Sequence, residues 1–297
     1  MQNNTFGNVL QTQWDWRAAG NFMFGGSGGA LILMAAIASW PGTPNLVIGL
    51  AALVFVGLGL FLVWLEIGRP WRFLHVFFHP QTSWMTREAS VSVLLFAATF
   101  TGVLMQAPTL LAAAGLLGFL FLYCQGRILR ASKGIPAWRE PAVAPLIMST
   151  GLAEGAAILS ILLIFSGAGQ MWLLYLLMGL LAWRLVSWNH YRQRLAANNA
   201  PPAALKALDG VNRPHVILGN ALPLLLLATV IVWPDLLQPL ALLACILATA
   251  SGWLMKFTII TRAAKVQGYA LGKLQKGRPT IKPPVRREKD RFVFDRD

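Results

Sequence analysis

The feature that most constrains this chain is a series of apolar runs, each about twenty residues long, which is the length a helix needs to cross a bilayer. Hydrophobic residues make up 56% of the 297 residues and charged residues only 12%, which excludes an ordinary soluble domain. The runs predict an all-α fold. The chain is expected to be a polytopic membrane protein, with a bundle of eight transmembrane helices in residues 1–271. The predicted helices are 18–39, 45–67, 89–105, 109–129, 145–165, 171–188, 216–232 and 236–260.

Basic residues avoid every second connection between these runs. The turns at 40–44, 106–108, 166–170 and 234–235 contain no lysine or arginine. The 25 lysines and arginines therefore fall on one face, if Arg184 is counted with the sixth connection and Lys256 with the tail. The positive-inside rule predicts that this face and both termini are cytoplasmic, in a multi-pass protein of the inner membrane. Topology then explains the net charge of +14, and no nucleic-acid partner is expected.

The segment 66–80 combines charge, imidazole and aromatic rings where the second apolar run ends at Gly68, Arg69 and Pro70. Other polar side chains concentrate at the same predicted face. They are Asn21, Glu66, His75, His79, Glu88, Tyr123, Gln125, Asn189, His190 and His215. Any one of them can be an interfacial anchor, but their number at one face predicts a functional site there.

Glu154 is different, because it lies near the middle of the fifth run, where a carboxylate is costly unless it is protonated or paired. This position predicts that Glu154 belongs to a proton relay or is a quinone-linked acid. The alternative is a protonated side chain that binds a neighbouring helix.

The first helix carries small residues at four-residue spacing, such as Gly25 with Gly29. They indicate close helix packing or a cleft for a flat hydrophobic molecule beside Asn21.

The chain offers few ligands for redox centres of its own. Two cysteines, Cys124 and Cys245, are too few for an iron–sulfur cluster, so any cluster is expected in another subunit. The four histidines lie near one face, which argues against the two-haem stack of a membrane electron carrier. We expect no haem and no metal site in this chain.

Three motifs resemble the NrfD/DmsC family of membrane anchor subunits. They are the glycine-rich first helix opening with aromatic residues, the acidic-x-Gly-Arg-Pro step at Glu66, and Ser83 with Trp84. The resemblance implies an eight-helix anchor without haem that docks an iron–sulfur subunit. It also implies a molybdopterin catalytic subunit, and a membrane quinone, ubiquinone or menaquinone, that exchanges electrons near the docking face.

The same resemblance implies a set of site residues. Asn21 falls where the family places polar quinone contacts, and Glu66 and Arg69 match the acidic-x-Gly-Arg-Pro motif. His75 is a looser match, and Tyr123 completes the predicted quinone pocket. The family's helix-one histidine has no clear equivalent here.

The start of the chain, 11–17, is similar to anchors of phenylacetyl-CoA:acceptor oxidoreductase. This likeness and the basic face imply a cytoplasmic catalytic module, with the chain as the quinone-reducing subunit of an oxidoreductase complex that does no substrate chemistry alone. The basic tail 272–297 is expected to contact a partner subunit. Two alternatives stay open. One is a quinol-oxidising anchor of an outward-facing dimethyl sulfoxide or polysulfide reductase, and the other is a secondary transporter with repeated halves and broken helices.

Overall fold

The computed structural model describes residues 9–67, 70–233 and 237–266. Within them, eight helices are long and apolar enough to cross a membrane, so the predicted number of spans is confirmed and indicates a multi-pass membrane protein. The helices are α1 (Trp16–Ser39), α2 (Leu46–Glu66), α3 (Trp84–Leu104), α4 (Pro108–Ala131), α5 (Val143–Phe165), α6 (Met171–Ala197), α7 (Pro202–Val232) and α8 (Gln238–Arg262). Arg69 and the tail 272–297 lie outside the described residues.

Side-chain caps fix several helix starts. The Asn45 side chain accepts a hydrogen bond from Ile48 N at 3.1 Å and begins α2. The Ser83 hydroxyl accepts one from Thr86 N at 3.3 Å, so α3 begins at Trp84, more than a turn before the predicted start. The earlier start places Glu88 inside the helix.

Two helices extend at least nine residues beyond their predicted bounds. α6 continues past Trp188 to Ala197, and α7 begins at Pro202 instead of Val216. Pro214 does not end α7, because it opens a π-helical segment, Pro214–Ala221, in which a wider turn accommodates the missing N–H.

The centre of the bundle is formed by α1 and α5, which are its most buried spans. α1 packs against α2, α4 and α5. At the contact with α4, a Cβ added to Gly118 would collide with the carbonyl oxygen of Gly29. The glycines of α1 therefore serve helix packing, the first of the two interpretations drawn from their spacing.

The described ends of the chain meet. A two-residue strand, Val9–Leu10, pairs antiparallel with Lys265–Val266 beyond α8. Gln11 N also donates to Ala264 O at 3.0 Å. The start of α1 and the end of α8 thus share one end of the bundle, as an even number of spans requires. We call it the basic end.

Two of the basic residues that were counted at one face to predict the orientation lie inside the bundle instead. The number of basic residues at that face is therefore smaller than predicted. Arg184 in α6 and Lys256 in α8 are both fully buried. Apolar sequence surrounds each of them, so they belong to spans and not to loops. The cytoplasmic placement of the basic end remains a prediction from the other cations.

Gly118→Ala should destabilise the bundle by about 1–3 kcal/mol, because the added methyl group overpacks the contact with Gly29. Gly179→Ala in α6 is the matched control, since nothing lies within 4 Å of its added Cβ. Alanine is the better helix former, so this control should be neutral or slightly stabilising. Unfolding of the purified protein in detergent measures both, and equal stabilities would contradict the proposed packing.

Candidate functional site: a cavity backed by buried polar groups

An apolar cavity of about 340 Å³ lies between α2, α3 and the 3₁₀ segment Pro70–Phe77. Most of its walls are apolar, and its polar lining comes from α1 and α3. The lining residues are Asn21, Leu60, Phe61, Val63, Trp64, Ile67, Phe73, Val76, Phe77, Met85, Glu88, Ala89 and Ser92. Such a lining suits a flat apolar molecule held by a few polar contacts.

The polar wall of this cavity is a buried amide–carboxyl cluster. Asn21 Nδ2 donates to Glu88 Oε1 at 3.1 Å, and Gln125 Nε2 donates to Asn21 O at 3.0 Å. All three side chains are buried. Within the described residues, Asn21 Oδ1 and Gln125 Oε1 have no hydrogen-bond partner. Both oxygens are hydrogen-bond acceptors in the wall of the cavity.

Glu66 lies on the other side of this wall. A smaller cavity of about 40 Å³ is lined by Glu66, Asn21, Glu88 and Trp14, among others. Asn21 and Glu88 thus border both cavities, whereas Glu66 borders only the smaller one. Nearby, Arg17 Nη1 donates to Leu65 O at 2.7 Å.

Two other predicted pocket residues, His75 and Tyr123, lie away from the cavity. His75 is exposed and its ring lies edge-on to Phe78, with centroids 5.4 Å apart. The Tyr123 hydroxyl accepts a hydrogen bond from Arg127 at 2.6 Å, and its ring meets Trp84. Neither lines the cavity.

Glu154 is half of a fully buried ion pair. Its Oε2 atom accepts hydrogen bonds from Lys256 Nζ and from the Ser27 hydroxyl, each at 2.6 Å. Trp253 Nε1 in turn donates to Ser27 Oγ at 3.0 Å. Glu154 Oε1 has no hydrogen-bond partner in the described part of the chain. The carboxylate is therefore paired with a cation from α8, which neither sequence-based interpretation included.

A π-helical turn in α1, Asn21–Gly25, connects the two polar groups. A π turn shifts backbone hydrogen bonds out of the α-helical register and leaves carbonyl oxygens to side-chain donors. Asn21 O accepts from Gln125, and Phe22 O accepts from Lys256 Nζ at 2.9 Å. An added Cβ on Gly26 would lie 2.6 Å from Gln125 Oε1 and 3.2 Å from Lys256 Nζ. The two clusters therefore flank one glycine.

A third buried polar group surrounds Arg184. Its guanidinium donates to Asn220 Oδ1 at 2.9 Å, to Ala248 O at 2.8 Å and to Gly219 O. Gly219 belongs to the π-helical segment of α7, so a carbonyl of a π turn again receives a buried cation. His215 Nδ1 lies 2.9 Å from Ser251 Oγ in the same group.

Glu88 and Gln125 are among the polar residues predicted at helix ends, but they were not predicted to belong to the pocket. Lys256 and Arg184 were not predicted as site residues, although a lone basic residue inside an apolar run is a detectable signal. Among the described residues, no three His, Cys, Asp or Glu side chains are grouped to hold a metal ion.

Comparison with known proteins finds no match, either to a protein-family model or to a curated protein. The NrfD/DmsC resemblance therefore rests on the sequence motifs alone and stays a prediction.

Glu154→Gln and Lys256→Met should each lower the free energy of unfolding by about 3–5 kcal/mol, because each leaves the other charge group buried without its partner. The double variant should lose less free energy of unfolding than the sum of the two single losses. A double-mutant cycle on the purified protein in detergent measures the coupling. Additive losses would show that the two side chains do not interact.

Proposed function

We propose that this chain is the quinone-reactive membrane subunit of a multisubunit oxidoreductase. The observation that carries the proposal is the apolar cavity between α2 and α3 with Asn21 and Glu88 at its inner wall. A quinone head group is a flat ring with two carbonyl oxygens, so it needs an apolar slot and one or two hydrogen-bond donors. The Asn21 amide and a protonated Glu88 carboxyl supply such donors.

Access to this cavity also suits a lipid-soluble substrate. Phe61, Trp64 and Phe73 line the cavity, and each is also exposed on the side of the bundle, by 50%, 37% and 39%. The cavity therefore opens between spans toward the surface that faces lipid. A quinone with a long apolar tail enters from the bilayer and keeps its tail there.

Reduction of a quinone to a quinol takes two electrons and two protons. In this proposal the electrons come from an iron–sulfur subunit docked at the basic end, and a molybdopterin subunit carries out the substrate chemistry. Glu88 donates the nearest proton. The Glu154–Lys256 pair, which lies across Gly26 from the Gln125 side chain, is a proton reserve in this proposal and supplies the second proton. Oxidation of phenylacetyl-CoA by the complex is the substrate reaction that the N-terminal likeness favours.

Two alternatives use the same chain differently. An anchor of an outward-facing reductase would run the reaction from quinol to quinone in the same cavity, with its partner on the other side of the membrane. A secondary transporter would have helices broken at mid-membrane. The three π-helical segments leave α1, α7 and α8 continuous, which favours the quinone site.

Glu88→Gln should lower quinone reduction by about 100-fold or more, because glutamine keeps the size of the side chain but cannot transfer a proton. Binding of a quinol analogue, followed by fluorescence quenching with the purified chain, should change little. Turnover is measured on the complex with its co-purifying subunits. Wild-type turnover in this variant would show that Glu88 does not take part in the reaction.

Two further variants separate binding from catalysis. Ala89→Phe adds a ring inside the cavity and should abolish binding of the analogue. Asp209→Asn removes an exposed carboxylate that pairs with Arg192, and it should affect neither binding nor turnover. Unchanged binding in Ala89→Phe would place the quinone elsewhere.

The combined variant Glu154→Gln with Lys256→Met tests the proton reserve. It removes both charges of the pair together and so avoids a buried charge without a partner. We expect it to bind the quinol analogue normally and to turn over more slowly than the wild type. Wild-type turnover would mean that the pair has a structural role only.

A further inference from the structure

A second cavity, of about 530 Å³, lies at the basic end, where α4 ends, the connection to α5 folds back and α6 ends. Three cations line it: Arg130 in the last turn of α4, Lys133 just beyond it, and Arg139. None of these residues lines the apolar cavity between α2 and α3. The cavity is therefore a separate concave site with a basic lining.

Among the described residues, one carboxylate lines this cavity, and it already has donors. Glu140 is 4% exposed and accepts from Arg194 Nε at 3.3 Å and from Asn198 Nδ2 at 2.7 Å. It forms no ion pair with Arg130 or Lys133. Within the part of the chain that the structure describes, the Arg130 and Lys133 side chains have no hydrogen bond or ion pair. Two exposed cations thus face the cavity unmatched.

The connection that carries these cations is held in shape. Arg139 Nη1 donates to the Lys133 carbonyl oxygen at 3.1 Å, which closes the turn between them. Trp138 is buried, and its Nε1 donates to Ile259 O at 2.8 Å. The basic wall is consequently anchored to α8 and preformed, which lowers the entropy lost on binding a ligand.

The depth of the cavity matches that of lipid headgroups. Arg130 lies in the last turn of one span, and the exposed Pro141, just before the next, adds apolar surface to the lining. Connections between spans lie at the membrane surface, where basic pockets bind headgroup phosphates. The volume exceeds the size of one phosphate, and an apolar patch beside cations suits a ligand with both phosphate and acyl parts.

We propose that this cavity binds the phosphates of an anionic phospholipid. Arg130 and Lys133 bind the phosphate oxygens, with Arg139 on the adjacent wall. Pro141 contacts the first part of the acyl chains. A lipid with two phosphates engages both unmatched cations at once.

The test uses the purified full-length chain in detergent and native mass spectrometry with three probes: cardiolipin, phosphatidylcholine and inorganic phosphate. Cardiolipin should bind the wild type in preference to phosphatidylcholine, and phosphate should not displace it. Arg130→Gln with Lys133→Gln should weaken cardiolipin binding by about 30-fold, since each basic residue contributes about one kcal/mol at a lipid surface. The matched control, Lys206→Gln with Arg213→Gln, removes the same charge from exposed sites on α7 and should bind nearly as the wild type does.

Three results would overturn the proposal. Equal binding of cardiolipin by both double variants would show that net charge alone attracts the lipid. Displacement of cardiolipin by inorganic phosphate at equal phosphate concentration would assign the cavity to a soluble anion. Loss of a co-purifying subunit from the Arg130 and Lys133 variant, with lipid binding intact, would assign it to an acidic protein surface. Unfolding midpoints of the variants separate each result from misfolding.

Discussion

Water is scarce inside this bundle, so buried polar groups must bind one another, and three π-helical segments supply acceptors for them. In α1 the carbonyl of Phe22 accepts from Lys256, and in α7 that of Gly219 accepts from Arg184. In α8 the carbonyl of Ile259 accepts from Trp138. Each segment thus joins two elements that are distant in sequence. Each segment therefore gives a buried donor one of its acceptors.

The Glu154–Lys256 pair depends on that arrangement. Lys256 binds a carboxylate and a backbone carbonyl together, so its ammonium group has partners from two other helices. A buried ion pair seldom adds much stability by itself, because desolvation opposes the attraction. The proposed proton reserve would give the pair a role other than stabilising the bundle. The proximity of Gln125 to the same glycine links the pair with the cavity wall.

Local sequence was sufficient for the number of spans. Apolar length predicted the helices, and the rarity of carboxylates inside spans drew attention to Glu154. The rest depends on contacts between helices far apart in the chain. Nothing near Lys256 in sequence indicates that it faces Glu154, and the cavity exists only because the 3₁₀ segment folds against α2 and α3. The motif resemblance also favoured His75, whose side chain is exposed.

The pairing of Val9–Leu10 with Lys265–Val266 has a topological consequence. Because these two strands pair, the described ends of the chain lie side by side, and the eight spans connect one to the other. No span is terminal in space, and α1, although first in sequence, is enclosed by its neighbours as fully as a helix from the middle of a chain. Several polar groups of α1, the first span in sequence, consequently have their partners only when α8, the last span, is in place.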